Sequence, residues 1–173
     1  MQNDLFSKPA EYTIDGSSLM DIFNDTPWVS KKVIPGLWRK VEELIHEGII
    51  ISHMEVLLEI KKDGQKGEEL YNWAHSNEHI FKDYNIKEEG KIIKGMSQKY
   101  KQFVNQKINS VNADPWLIAQ AKNLGLKLIS EETFSASPDI AKHKIPNVCR
   151  DPSFMVSCIN LSELAKERGW TFN

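Results

Sequence analysis

A chain of 173 residues, 40% hydrophobic and 27% charged, is long enough to bury one core and too apolar to be a disordered tail. No apolar run reaches the ~20 residues of a membrane helix, and the opening MQNDLFSKPAEY lacks the basic-then-apolar layout of a secretory signal, so a cytoplasmic protein without a membrane partner is expected. The net charge of -2 argues against a generic nucleic-acid coat, and two cysteines, Cys149 and Cys158, are too few for a disulfide framework or, by themselves, a zinc site.

In chain order, EYTID (11–15) reads as a short strand ending on Asp15. Ser17 is then placed to cap a helix presenting Leu19, Met20, Ile22 and Phe23. Pro35-Gly36 introduces LWRKVEELIHEG, with Leu37, Val41, Leu44 and Ile45 at helical spacing and Gly48 as the stop. IIIS (49–52) is a β-branched strand leading into HMEVLLEIKKD, a helix with Val56, Leu57 and Ile60 on its apolar side. Residues 66–107 read as helical, interrupted near Asn85 and Gly90, without adding a strand. Asn112 or Asp114 caps the next helix, where Pro115 suits the first turn because its missing N–H has no partner there. LKLIS (126–130) is a strand, 133–146 a proline-punctuated loop, MVSCI (155–159) the last strand and LSELAKERGW the last helix.

Strands alternating with helices predict one α/β domain, 1–173, around a mostly parallel sheet, with a helical insert at about 61–107. In such sheets ligands bind beyond the carboxyl ends of the strands. Asp15 and Glu131-Glu132 end strands, while Glu55 and Asp114 lie in the first turns of helices, so right-handed crossovers bring all of them to one edge. Crowded carboxylates repel unless a cation neutralises them. An all-oxygen set suits Mg2+ or Mn2+, and that chemistry suits phosphodiester hydrolysis.

These residues carry a resemblance. YTIDGSSLM, SHMEVLLEI, ADPWLIAQAKNLGLKLISEE and KIPNVCRDPSFMVSCINLSELAKERGW resemble, in order and spacing, the segments of a PIN domain, a metal-dependent ribonuclease fold, in a subfamily with Pro-Trp after the third acid. The resemblance implies a three-layer α/β/α fold and a Mg2+- or Mn2+-dependent endoribonuclease. Asp15, Glu55 and Asp114 match the metal-binding acids, Glu132 the fourth acid and Ser17 the polar helper. Many relatives carry Asp at the fourth position, and the longer glutamate arm leaves Glu131 open as the ligand instead. Also implied are an RNA substrate, a homodimer, and a toxin restrained by an antitoxin protein. The alternative is a catalytically weak module of the same fold that binds a protein partner.

Other signals carry less. HSNEH (75–79) fits the H-x-x-E-H zinc peptidase pattern, but no third ligand motif follows. Lys91, Lys94, Lys99, Lys101 and Lys107 read first as a solvated helix face, with a phosphate-contacting surface and stacking by Tyr100 and Phe103 as the alternative. Trp116 reads as core packing before base stacking; Glu59, one turn after Glu55, reads as paired in solvent before an addition to the acidic set, and Asp21 and Asp25 as surface acids before neighbours of the first acid.

Overall fold

The computed structural model describes residues 9–24, 28–63, 67–105 and 111–172. Five strands form one sheet: β1 (Tyr12–Ile14), β2 (Ile50–His53), β3 (Phe81–Lys82), β4 (Lys127–Ile129) and β5 (Cys158–Ile159). Their order is β3-β2-β1-β4-β5, and every pairing is parallel, with Thr13 opposite Ile51 on one side and Leu128 on the other. A fully parallel sheet needs both faces covered, which explains why β1 and β2 are buried at every position.

Nine α-helices connect the strands among the described residues: α1 (Gly16–Phe23), α2 (Pro35–His46), α3 (Met54–Asp63), α4 (Glu68–Ser76), α5 (Ile86–Lys99), α6 (Lys101–Val104), α7 (Asp114–Leu124), α8 (Ile145–Cys149) and α9 (Leu161–Glu167). Their mutual contacts fall into two groups, α1 with α3 and α4, and α7 with α5, α6 and α8. The result is a three-layer α/β/α domain, as the alternating pattern predicted. No described helix is long and apolar enough to cross a membrane.

Two glycines end helices, Gly48 where the pattern put it. Gly48 and Gly125 follow α2 and α7 at φ +73° and +68°, a left-handed conformation that glycine adopts without a Cβ clash. Three local expectations are corrected. Ser17 is the second residue of α1 and does not cap it; Asp15 caps the helix by accepting a 2.7 Å hydrogen bond from the Ser18 N–H. Neither Asn112 nor Asp114 caps α7, since Ala113 occupies the cap position and Asp114 is the first helical residue. The 66–107 segment contributes the edge strand β3, and Gly90 lies inside α5 rather than breaking it.

α7 is the central helix: Leu117, Ile118, Ala119, Gln120 and Ala121 are all buried. Its Gln120 makes the polar link through the core. Thr13 Oγ1 donates to Gln120 Oε1 at 2.6 Å, and Gln120 Nε2 donates to the Ser52 carbonyl at 3.2 Å. Ser52 Oγ in turn donates to the Ile14 carbonyl at 2.7 Å. With Thr13, Ser52 and Gln120 at most 1% exposed, this chain registers β1, β2 and α7 against one another. Gln120→Leu leaves two buried polar groups unpaired and is expected to destabilise the fold by about 2 to 4 kcal/mol. Urea unfolding measures this, and adding Thr13→Val is expected to recover part of the loss.

Candidate acidic site

Asp15 follows β1 and is 2% exposed. Its Oδ2 accepts from Ser17 Oγ at 2.6 Å and Ser130 Oγ at 2.7 Å, and its Oδ1 from the Ser18 N–H. Burial pushes this carboxyl up, while the hydrogen bonds from Ser17, Ser18 and Ser130 act against that. Ser17 therefore orients the Asp15 carboxylate. Ser130, at the end of β4, is an equal partner that sequence reading missed.

Asp114 is the electrostatic centre. Its carboxyl is pushed up to about 8, first by burial and then by the negative charges of Glu132, Glu59 and Asp15. Glu132 and Asp15 are thus near enough to act on Asp114 through their charge, and the acid of α3 that does so is Glu59, not Glu55. Glu59 Oε1 accepts from the Ala113 N–H at 2.8 Å, at the start of α7. Its Oε2 would lie 3.3 Å from a Cβ built on Gly16, so the missing side chain there gives the carboxylate its room.

Glu55, the sequence candidate, sits one turn earlier and is engaged elsewhere. Its Oε1 accepts from the Tyr84 hydroxyl at 2.7 Å, and its backbone N–H donates to His53 Nδ1 at 3.1 Å. That hydrogen bond assigns the proton of buried His53 to Nε2, which lies 3.4 Å from Glu89 Oε2. Burial holds the His53 pKa down at about 4 against the raising influence of Asp83. Trp116 stacks on the His53 ring at 5.4 Å and meets Tyr84 edge-on at 4.9 Å. It packs this half of the edge.

The two glutamates after β4 diverge. Glu132 Oε2 accepts from the Ile145 N–H at 3.0 Å and its charge acts on Asp114. Glu131 Oε1 accepts from the Leu161 N–H at 2.7 Å. Burial raises the Glu131 carboxyl, and Asp21, Asp15 and Glu163 push it the same way. Glu132 is thus the acid on the Asp114 side, and Glu131 faces Asp15 and Asp21. Asp25 lies outside the described residues.

The donor set is all oxygen, with a carboxyl that holds its proton at neutral pH unless a cation offsets its neighbours, which fits Mg2+ or Mn2+. Among the described residues, no three His, Cys, Asp or Glu side chains stand in an arrangement that holds an ion directly.

The remaining signals resolve structurally. His75 lies near the end of α4 and His79 in a separate 3-10 turn, so H-x-x-E-H does not share one helix. Glu78 pairs with His75 and Lys61 instead. Tyr100 and Phe103 are buried at 4% and 6% exposure and stack on nothing outside, while Lys99 pairs with Asp151. Lys107 lies outside the described residues. Both cysteines are free thiols.

The family model described as Domain of unknown function (DUF4411) matches residues 12–172. No curated protein and no solved structure matches the chain.

Because folding raises the Asp114 carboxyl from 3.8 to about 8, the folded state binds that proton more tightly than the unfolded one. Its contribution is fully present below the unfolded value and lost as pH rises through the folded one. In chelator, Asp114→Asn is therefore expected to gain stability over the native chain as pH rises from 4 to 8, with the gap levelling above that. Thermal melts across this range check it; a gap independent of pH would remove the repulsion from the account.

Proposed function

The chain belongs to the DUF4411 family, and we propose that it is a metal-dependent endoribonuclease of PIN type. The observation that carries the reading is that the charges of Glu132, Glu59 and Asp15 all act on buried Asp114, at the carboxyl edge of a parallel sheet where α/β proteins bind their ligands. The order of acids along the chain and the resemblance to PIN domains support it further.

In this reading Asp15, Glu59, Asp114 and Glu132 bind Mg2+ or Mn2+, directly or through its waters. Held by these acids, such an ion would supply a water nucleophile of lowered pKa and would offset charge on the phosphate and leaving oxygen. Ser17 and Ser130 hold the Asp15 carboxylate in one orientation by donating to the same oxygen. The Ala113 and Ile145 N–H groups do the same for Glu59 and Glu132. Preset oxygens lower the reorganisation needed as charge develops. RNA as the substrate, a homodimer, and a role as the toxin of a toxin–antitoxin pair rest on the resemblance alone.

One observation favours a second reading, a catalytically weak module that binds a protein partner. Each carboxylate of the set except Asp114 is occupied by a donor of the chain itself, and no three described side chains form a direct ion cage. RNA incubated with the purified chain in Mn2+, and again in chelator, separates the two.

Metal-dependent cleavage is expected. Glu59→Gln and Asp114→Asn should each lower the rate at least about 100-fold, the loss expected when a few kcal/mol of charge stabilisation is removed. Glu55→Gln should retain most activity. Full activity in Asp15→Asn or Asp114→Asn would overturn the site, and a dead Glu55→Gln beside an active Glu59→Gln would return Glu55 to it.

A further inference from the structure

Two residues past Glu132, the loop from 133 to 144 carries an aromatic ring that the core does not use. Phe134 is 49% exposed, and the Arg150 guanidinium sits over its ring at 4.7 Å from the centroid. The loop is fastened beneath it. Asn147, 6% exposed, accepts from the Ser135 N–H at 2.9 Å and donates to the Ser135 carbonyl at 2.8 Å. The same carboxamide oxygen accepts from the Lys144 N–H at 3.2 Å. The next N–H, that of Ile145, binds the Glu132 carboxylate. Ring, cation and acid are thus fixed to one short frame rather than left on a free loop.

The charge of this frame opposes that of the chain. Between Phe134 and Arg150 the sequence holds Lys142, Lys144 and Arg150 against Asp139 alone, in a protein of net charge -2. All three cations are exposed. Elsewhere along the chain, Lys91 and Lys99 pair with Glu88 and Asp151. An exposed aromatic ring with a guanidinium against it, on a segment that carries two further exposed cations, is the combination by which proteins take single-stranded nucleic acid, the base stacking on the ring and the phosphates meeting the cations.

We propose that Phe134 and Arg150, with Lys142 and Lys144, form a subsite for an unpaired nucleotide of an RNA strand, one step along that strand from the acids at Glu132. The assignment rests on the ribonuclease reading for the identity of the ligand. It departs from the lysine-rich segment of α5 and α6, whose aromatic residues are buried.

The test is binding of a fluorescent single-stranded RNA oligonucleotide to the full chain in chelator, followed by cleavage in Mn2+. Phe134→Ala should weaken binding about 5- to 150-fold, the range of losing one base–aromatic stack. Phe134→Trp should restore it. Arg150→Gln should weaken binding and lower the slope of log affinity against log salt by about 0.7, one single-strand phosphate contact. Melting curves establish that each variant is folded. Native affinity in Phe134→Ala overturns the subsite, while cleavage by that variant leaves the nuclease reading standing. RNA binding that depends on Phe134 without cleavage in any metal keeps the subsite and removes the nuclease. Unchanged RNA binding with a changed molecular mass in solution marks the ring as a protein contact and overturns the proposal.

Discussion

A carboxylate buried at 2% exposure must be fully hydrogen-bonded or the fold around it fails, and the arrangement of this protein follows from how Asp15 meets that demand. Its three donors come from separate places: Ser17 and Ser18 in the first turn of α1, and Ser130 from the end of β4. To supply them, α1 must start immediately after β1, and β4 must pair beside β1 with its end level with Asp15. The Asp15 N–H to Ile129 carbonyl bond, 3.0 Å, completes that alignment. One satisfied charge thereby sets strand register and helix origin together.

The same device repeats along the edge. Glu59 accepts from Ala113 before α7, Glu132 from Ile145 at the start of α8, and Glu131 from Leu161 at the start of α9. Every helix start leaves N–H groups without partners in the helix and carries partial positive charge. In a parallel sheet with right-handed crossovers the helices that follow strands all start at the carboxyl edge. That edge can hold several carboxylates whose mutual repulsion would otherwise drive them apart. Asp114 is the one least compensated in this way, and its carboxyl is pushed up to about 8. A cation acting on the set has its greatest effect there.

Much of the fold was legible because its signals are local. Gly48 and Gly125 mark helix ends through backbone conformation, and short apolar runs mark β1, β2 and β4. β3 escaped because two residues, Phe81 buried and Lys82 exposed, offer no periodicity to read. Gly90 misled because a helix-interior glycine costs only about 1 kcal/mol relative to alanine. The packing of α5 against α7 and α6 outweighs that. Ser130 and Asn147 carry no sequence signal, since a buried serine or asparagine matters only through the backbone or carboxylate it reaches across the chain.

By itself the sequence determined that the chain is an α/β domain with acids at strand ends and helix starts, since those follow from periodicity, caps and connection handedness. It also placed Asp15, Asp114 and a glutamate after β4 at the same edge of the sheet. Only the tertiary structure decided between Glu55 and Glu59, and between Glu131 and Glu132. Residues four apart on a helix differ by about 40° in direction but about 6 Å along the axis, so composition and spacing treat the first pair alike. Height above the sheet does not: Glu55 meets Tyr84 and Glu59 meets the start of α7. Adjacent residues past a strand end diverge for a related reason, because whichever helix start stands nearer claims each carboxylate.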